Sequence, residues 1–240
     1  MTDVPRLDEE TKRKLARVSA ATLTSQLLKR GFANTFIAGL IPLRPDLRMV
    51  GVAYTLRYIP TRADLAGDRF ADEENAQRRA VETIGPGEVL MIDARGDTGA
   101  ASFGDILATR IAVRGAAGLV TDGGLRDTPA FRELDLPSYT RAAHAVTSYT
   151  IHHPLETNVP IGCGGVAVLP GDVVVGDAEG VVVMPAGLAR EVADEAFEQE
   201  RLEEFLQAKV AAGADTRGVY PPDEATQAEY EAWREREGDR

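Results

Sequence analysis

Residues 104–127 decide the fold, and their sequence is GDILATRIAVRGAAGLVTDGGLRD. The spacing of the apolar residues predicts a helix over residues 108–113 that ends at Gly115. A short apolar run then predicts a buried strand over residues 118–121, followed by a turn at Gly123-Gly124. Because a helix followed by a returning strand brings its two ends together, we expect the ends of this segment to be neighbours in space.

Three charged side chains stand at the two ends of this segment. Asp105 lies at the predicted helix start, and Arg126 and Asp127 follow the predicted strand, at the edge where open α/β sheets commonly bind ligands. Mg²⁺ and Mn²⁺ prefer oxygen ligands, and an arginine can hold a carboxylate or keto-acid oxygen through two parallel hydrogen bonds. The segment therefore predicts a divalent metal beside an anionic substrate. The alternative is a helix cap at Asp105 and a surface ion pair between the other two residues.

The rest of the chain predicts strands in the middle and helices at both ends. The expected order is two short helices in residues 7–30, an edge strand feeding a longer strand in 37–60, a charged helix over 71–83, a buried strand over 88–94, a short helix over 129–134, a strand over 138–141, three strands in 158–184 forming a compact β barrel or sandwich, a helix over 186–210, and a last helix containing Tyr230 and Trp233. Tight turns between the later strands predict mixed pairing in an α/β fold.

Composition and charge restrict the partners and the compartment. A chain of 240 residues can bury one substantial core, so we predict a single domain. The formal net charge is −11, and this negative charge disfavours nucleic acid as a partner. Most of it comes from residues 190–240, which contain 15 acidic and 7 basic residues. We expect no membrane span, because no apolar run approaches about 18 residues. One cysteine, Cys163, and no evident signal segment favour a cytoplasmic location.

Three motifs resemble the RraA-like family, which includes the class II 4-hydroxy-4-methyl-2-oxoglutarate / 4-carboxy-4-hydroxy-2-oxoadipate aldolases. The motifs are FGDILA at residues 103–108, GLVTDGGLRD at 118–127 and PGDVVVGDAEGVVVMP at 170–185. In those aldolases the metal site has an Asp, twenty intervening residues and then Arg-Asp, and the spacing from Asp105 to Arg126-Asp127 matches. The arm at residues 34–60 and the tail at 220–233 depart from the pattern of these aldolases.

The resemblance also implies a fold and an assembly. The expected fold is an RraA-like layered α/β/β/α domain over residues 1–240, with a central β barrel or sandwich, N-terminal helices in residues 1–31 and a C-terminal extension over 214–240. The expected assembly is a homotrimer, or a hexamer built as a dimer of trimers.

Residue roles follow from the same resemblance. Asp127 would bind Mg²⁺ or Mn²⁺ directly, Asp105 would act through a water on the metal, and Arg126 would hold the pyruvyl oxygen. Backbone donors would come from Gly104, Asp105, Ile106 and Leu107. The family aldolases also bring a glutamate from the C-terminal helix of a neighbouring subunit towards the metal through water. Our candidate for this glutamate is Glu203, with Glu200 and Glu204 as rivals.

These roles predict a metal-dependent lyase that cleaves a small 4-hydroxy-2-oxo acid by a retro-aldol reaction and releases pyruvate. Oxaloacetate decarboxylation is an expected side activity, because both reactions need stabilisation of the same enolate. One alternative is a non-catalytic protein that binds and regulates a ribonuclease, the role from which the family takes its name. Another is a related metal-dependent sugar-acid dehydratase.

The remaining polar residues give weaker signals. Neighbouring side chains on a strand point to opposite faces, so His152 and His153 are not expected to share a metal. Cys163 stands between glycines without a recognisable histidine partner, which favours a buried apolar role over a nucleophile. Asp97 and Asp122 either line the pocket or cap turns.

Overall fold

The computed structural model describes residues 7–65 and 75–237. The strands in these residues are β1 (Phe36–Ile37), β2 (Ile41–Pro42), β3 (Met49–Pro60), β4 (Glu88–Asp93), β5 (Ala101–Phe103), β6 (Gly118–Thr121), β7 (Gly124–Leu125), β8 (Ser138–Thr140), β9 (Ala142–Ala143), β10 (His152–Thr157), β11 (Ile161–Cys163), β12 (Val166–Val168), β13 (Val173–Gly176) and β14 (Val181–Met184). The α-helices are α1 (Glu9–Leu15), α2 (Ala20–Lys29), α3 (Ala76–Thr83), α4 (Asp105–Val113), α5 (Thr128–Phe131), α6 (Ala189–Ala211) and α7 (Glu224–Glu237). Short 3-10 helices lie at Ala63–Leu65, Ser148–Thr150 and Ala186–Leu188.

One large mixed sheet organises the fold. Its strand order is β1-β14-β13-β3-β4-β6-β8-β2, and β10 pairs with the second half of β3. The central strands β3, β4, β6 and β8 are parallel, while β13 and β14, which are joined by a tight turn, pair antiparallel. The expectation of mixed pairing is therefore confirmed, and β2 is the edge strand that precedes the long strand β3.

Both faces of the large sheet are covered. Alternate residues of a strand point to opposite faces, and β3 carries apolar residues on both. Tyr54 and Leu56 pack in a buried cluster with α3 and α4, and Val50 packs with α1, α2 and α6. Met49 and Ala53 point the other way and pack against β11 and β12. Burial on both sides explains the nearly continuous apolar sequence of β3.

The N-terminal helices form as the sequence predicts. The Ser19 hydroxyl accepts the N–H of Thr22 at 3.1 Å and so caps α2. The chain leaves α2 through Gly31, whose φ of 84° is readily adopted by glycine. Both helices pack on α6. Two ion pairs reinforce this packing, Lys14–Asp194 at 2.6 Å and Arg30–Glu191 at 2.7 Å.

The C-terminal helix α7 folds back onto α6. The rings of Phe205, Tyr230 and Trp233 form a cluster with centroids 5.7–5.9 Å apart. An ion pair between Lys209 and Glu229 lies beside this cluster. The described residues include no helix long and apolar enough to cross a membrane.

Two predicted regions differ in detail from the structure. Residues 158–184 form four strands instead of three, because Gly164 and Gly165, with φ of 56° and 85°, make a tight turn between β11 and β12. These two strands form a hairpin of their own, while β13 and β14 join the large sheet. The charged helix predicted over residues 71–83 is observed as α3, and residues 71–74 lie outside the described part of the chain.

Candidate active site

A small sheet of β5, β7 and β9 positions the candidate site. Strands β5 and β7 are parallel neighbours, with Phe103 opposite Leu125, and the N–H of Arg126 donates to the carbonyl oxygen of Phe103 at 3.1 Å. Because parallel neighbours end at the same edge, the residues that follow β5 and β7 stand side by side. Asp105 follows β5, and Asp127 follows β7.

Strand β7 was not predicted from the sequence, and neither were its partners β5 and β9 in the small sheet. The expected turn at Gly123-Gly124 is displaced, because Gly124 is already the first residue of β7. A Cβ atom on Gly124 would lie 3.1 Å from the carbonyl oxygen of Ala100, the residue before β5. A larger residue at this position would therefore press against the backbone at the start of β5. Arg126 and Asp127 therefore leave a strand of the small sheet, not the large-sheet strand β6 that was expected to position them.

The ends of β5 and β7 open into a cavity of about 240 Å³. Six of its lining residues belong to the predicted site: Gly104, Asp105, Ile106, Leu107, Arg126 and Asp127. The structure thus brings together both carboxylates, the arginine and the start of α4. Glu203 lines a different cavity of the chain.

Asp127 has an unusual backbone and a side chain that is not used for capping. Its φ of 58° and ψ of 33° lie in the left-handed region, which costs a non-glycine residue on the order of 1 kcal/mol. It occupies the N-cap position of α5, yet its side chain makes no capping hydrogen bond. The Oδ2 atom lies 3.1 Å from Nε of Arg126, and the side chain is 38% exposed. The carboxylate therefore remains accessible to a ligand in the cavity.

Asp105 lies at the first position of α4, and Gly104 takes the cap position. The alternative that Asp105 is the helix cap therefore does not hold. Its Oδ1 atom accepts the N–H of Ile106 at 2.7 Å, which occupies one of the predicted backbone donors. Helix geometry leaves the N–H groups of Asp105 and Leu107 without a partner inside the helix. They can face an anion, with the helix dipole in their favour.

Gly104 allows the two halves of the site to touch. A Cβ atom at this position would lie 3.2 Å from Cγ of Arg126 and 3.4 Å from Oδ2 of Asp127. The Arg126 side chain would have to shift by a few tenths of an ångström, whereas the Asp127 oxygen would be in ordinary van der Waals contact. The glycine at the start of α4 is therefore part of the geometry that sets the arginine and the carboxylate in place.

Four polar residues that were not predicted also line the cavity: Gln77, Thr147, Ser148 and Tyr149. Gln77 lies on α3 and is buried, and its Nε2 atom donates to the hydroxyl of Tyr58 at 2.6 Å and to the carbonyl oxygen of Ser102 at 3.0 Å. Tyr58 itself donates to the same carbonyl at 2.9 Å, and burial raises the pKa of its hydroxyl. The other three belong to the turn before β10. The sequence around these three residues contains no motif that would mark them as part of a site.

The donor set suits a hard divalent cation that keeps most of its water. Two carboxylates, those of Asp105 and Asp127, line the cavity. Among residues 7–65 and 75–237, no group of three or more His, Cys, Asp or Glu side chains is arranged to hold a metal ion. Mg²⁺ is commonly held by one or two carboxylates and several waters, so this site fits Mg²⁺ or Mn²⁺ better than an ion that needs a full set of protein ligands.

The glutamates of α6 stand apart from this site within one chain. Glu200, Glu203 and Glu204 line a cavity of about 670 Å³ between α6 and the C-terminal segment. Glu200 accepts the backbone N–H of Ser19 at 2.7 Å. Burial alone would raise the pKa of Glu200, but the hydrogen bonds from Ser19 and Thr22 outweigh it and lower that pKa. Glu200 is therefore engaged in holding α2.

The other polar candidates have structural surroundings. Asp122 and Asp97 do not line the cavity and instead accept backbone N–H groups, Asp97 that of Gly99 at 2.9 Å. Cys163 is buried, and burial raises the pKa of its thiol, as suits an apolar role. His152 is buried and stacks on Tyr58.

The structure is an α/β fold with a cavity at the ends of two parallel strands, lined by two carboxylates and an arginine. Residues 18–183 match the profile of the RraA-like family, described as Aldolase/RraA, and the chain belongs to this family. A protein of Halalkalibacterium halodurans that is provisionally named a 4-hydroxy-4-methyl-2-oxoglutarate aldolase is 35% identical over 66% of this chain and 70% of its own length. A protein of Deinococcus radiodurans with the same provisional name is 35% identical over 49% of this chain and 73% of its own length.

Solved structures confirm the predicted fold. Streptomyces coelicolor RraAS2, described as an unusual member of the RNase ES inhibitor RraA protein family, superposes with a TM-score of 0.76 at 35% identity, covering 85% of this chain and 98% of its own. An uncharacterized protein from Pseudomonas syringae pv. tomato has a TM-score of 0.81 at 22% identity, over 93% of this chain and 98% of its own. The second likeness concerns the fold alone.

Proposed function

We propose that this chain is a divalent-metal-dependent lyase that cleaves a small 4-hydroxy-2-oxo acid by a retro-aldol reaction and releases pyruvate. The observation that carries the proposal is the meeting of Asp105, Arg126 and Asp127 at one cavity, with the N-terminus of α4 beside them. A surface ion pair between Arg126 and Asp127 alone would not need an open cavity, a left-handed backbone at Asp127 and a glycine at the point of contact.

Each residue has a defined part in the proposal. Asp127 and, through water, Asp105 would hold Mg²⁺ or Mn²⁺, which supplies Lewis-acid polarisation of an oxo group when bound. Arg126 orients the substrate by donating to its carboxylate or oxo oxygen. The free N–H groups at the start of α4 receive the remaining negative charge. Asp105 also positions a water close enough to take the proton of the 4-hydroxyl group.

The direct test is pyruvate release from 4-hydroxy-2-oxo acids, with and without added Mg²⁺ or Mn²⁺. We expect release that depends on the metal, and a slower release of pyruvate from oxaloacetate. Undiminished turnover in excess chelator would contradict the proposal. A useful control is Asp135→Ala, because Asp135 is exposed and lies outside the cavity, so it should behave like the wild type.

We further propose that the site is completed by Glu203 of a second copy in a homotrimer or hexamer. The support is that Glu203 lies on α6 and lines a cavity other than the candidate site of its own chain. Two inactive variants, Asp127→Ala and Glu203→Gln, test this when they are mixed and reassembled. If each site draws on two chains, some sites in the mixture carry neither substitution, and part of the activity returns. Absence of any recovery, with mixed oligomers shown by mass spectrometry, would argue against the shared site.

A second function is favoured by one finding, the similarity to Streptomyces coelicolor RraAS2, which is described within an inhibitor family of a ribonuclease. In that case the chain acts by binding a ribonuclease through its surface. Inhibition of a ribonuclease that survives Asp127→Ala would favour this function. Tight Mn²⁺ binding that is lost in Asp127→Ala would favour the lyase.

A further inference from the structure

A β-bulge at Ser102 lies directly before the candidate site. The register of β5 against β7 shifts between Ala101 and Phe103, so Ser102 is an extra residue without a partner on β7. A bulge bends its strand and redirects the residues that follow it. Asp105 follows Ser102 by three positions. The position of Asp105 relative to the end of β7 therefore depends on what holds the bulge in place.

The side chain of Ser102 is held by a short chain of buried hydrogen bonds. Its Oγ atom lies 2.8 Å from Oγ1 of Thr121, at the end of β6, and 3.0 Å from the carbonyl oxygen of Gly124 on β7. Oγ1 of Thr121 lies 3.1 Å from the backbone nitrogen of Gly123. Ser102 and Thr121 are fully buried, so these hydrogen bonds are shielded from solvent.

The hydrogen bonds of this chain have one direction. The carbonyl oxygen of Gly124 can only accept, so the single hydrogen of the Ser102 hydroxyl points to it. In the contact between the two hydroxyl groups, Thr121 is therefore the donor and Ser102 the acceptor. Thr121 in turn accepts the N–H of Gly123. A side chain without a hydroxyl at position 121 removes the donor to Ser102 and the acceptor for Gly123 together.

The backbone of the bulge is held as well. The carbonyl oxygen of Ser102 accepts the hydroxyl of Tyr58 on β3 at 2.9 Å and Nε2 of Gln77 on α3 at 3.0 Å. Both partners are buried, and together they use the two lone pairs of this oxygen. The bulge is thus tied to β3, α3, β6 and β7 at once. Asp105 and Asp127 follow the two strands, β5 and β7, that the bulge joins.

We propose that Thr121 and Ser102 are positioning residues, whose hydroxyl groups lock the bulge and so set the separation of Asp105 from Asp127. Neither of the two lines the cavity, so each acts on the reaction only through the groups that it holds. The inference rests on the proposed lyase function, in which both carboxylates serve one hydrated metal ion. It does not depend on what a second copy adds to the site, because all of these hydrogen bonds lie within one chain.

Two substitutions at position 121 separate positioning from stability. Thr121→Val keeps the shape of the side chain and removes its hydroxyl, whereas Thr121→Ser keeps the hydroxyl and removes a methyl group. We expect Thr121→Val to lower kcat/KM for metal-dependent pyruvate release about tenfold or more, and to weaken Mn²⁺ binding by a similar factor. Thr121→Ser should stay within about twofold of the wild type in both measurements, although both variants should melt at a lower temperature. Equal losses of activity in the two variants, or none in Thr121→Val, would overturn the inference.

A matched control for this substitution is Thr55→Val. Thr55 is a fully buried threonine of β3 that does not line the cavity, and its hydroxyl donates to the carbonyl oxygen of Val159 at 2.6 Å. Thr55→Val should lose thermal stability as Thr121→Val does, but it should keep the kcat/KM and the Mn²⁺ affinity of the wild type. A loss of activity as large as that of Thr121→Val would show that lower stability alone explains the effect, against the inference.

A double variant tests whether the two hydroxyl groups act as one unit. Ser102→Ala should lower kcat/KM by about the same factor as Thr121→Val. The combination of both substitutions should cost little more than either alone, because one missing hydroxyl already breaks the chain of hydrogen bonds. If the double variant instead loses the product of the two separate factors, the hydroxyl groups act independently and the inference is wrong.

Hydrogen exchange in the metal-free protein separates this inference from the lyase function. The N–H of Arg126, which donates to Phe103, should exchange about tenfold faster in Thr121→Val than in the wild type, and at the wild-type rate in Thr121→Ser and Thr55→Val. If this difference is found but no oxo acid releases pyruvate, the lyase function is wrong and the positioning of the two strands stands. If Arg126 exchanges at one rate in all four proteins, the inference is wrong, whatever their activity.

Discussion

Asp122 and Asp127 lie five positions apart, but their surroundings give them opposite roles. Asp122 is buried, and its carboxylate accepts three backbone N–H groups at 2.7–3.0 Å, those of Ala94, Gly96 and Gly164. Asp127 is 38% exposed, caps no helix and contacts the side chain of Arg126. One carboxylate fastens three loops, and the other faces a cavity. The comparison shows that the hydrogen bonds already made by an acidic group decide what it remains able to bind.

Two glutamates on the long helix α6 show the same contrast. Glu200 accepts the N–H of Ser19 and holds the start of α2, whereas Glu203 contacts only the amide of Gln199 on its own helix, at 2.8 Å, among the hydrogen bonds between described residues. Of the two glutamates, Glu203 is the one that can leave its partner at small cost. This difference supports Glu203 over Glu200 as the glutamate offered to a neighbouring copy.

The largest expected effect is on catalysis at Asp127. Asp127→Ala should lower metal-dependent kcat/KM by about a thousandfold or more, because it removes the side chain that we propose binds the metal directly. The melting temperature should stay close to that of the wild type, since the side chain caps no helix. Pyruvate release and thermal unfolding measured on the same sample check both statements. A variant that keeps wild-type turnover would remove Asp127 from the site.

Asp122→Ala should show the reverse pattern. It leaves three buried or half-buried N–H groups without an acceptor, so we expect the free energy of unfolding to fall by about 3 kcal/mol. Urea denaturation measures this loss. Asp122→Asn keeps one acceptor oxygen and should lose less stability than the alanine variant. Equal stability of all three proteins would show that the loops hold without this carboxylate.

A smaller effect is expected from Gly104→Ala. The added Cβ atom would meet Arg126 at 3.2 Å, so the guanidinium should shift and kcat/KM should fall about tenfold. Stability should change little, because the φ of −132° at this position is open to alanine. Steady-state kinetics with the metal present gives the answer. The matched control is Gly187→Ala, where the added atom meets nothing within 4 Å and the kinetics should not change.

The smallest effect concerns Glu200 and depends on pH. Because the pKa of Glu200 is lowered in the folded chain, its stabilisation is present above its ordinary value of 4.5 and is lost as the pH falls through the folded value. Glu200→Gln should therefore be less stable than the wild type by about 1 kcal/mol at pH 7. The difference should shrink as the pH is lowered below the ordinary value. Urea denaturation at pH 7 and at low pH measures both, and a constant difference would contradict the assignment.

Local patterns in the sequence predicted most of the fold. The strand β6 has the predicted bounds, and α4 begins three residues before the prediction because helix periodicity does not mark the first turn. The site residues were predicted from one segment, residues 104–127, because its helix and returning strand bring the two ends of the segment together. The short strand β7 could not be foreseen, because its two residues gain strand character only by pairing with β5 and β9.

The contribution of Gln77 and Thr147 to the cavity could not be predicted for a similar reason. Gln77 belongs to the opening turn of α3, and Thr147 to a turn seventy residues further along the chain. They meet at the site because α3 packs against β3 and the turn before β10 packs against β5. Neither the spacing of residues nor their types carries information on contacts that tertiary packing creates.

The aromatic cluster between α6 and α7 contains an intrinsic fluorescence probe. Trp233 is the one tryptophan in the sequence, and its ring lies 5.7 Å from Phe205 and 5.9 Å from Tyr230. Its emission therefore comes from the contact between these two helices alone. Because Glu203 lies on the same stretch of α6, the proposed association of subunits can be tested by fluorescence without any label, through detachment or tightening of α7.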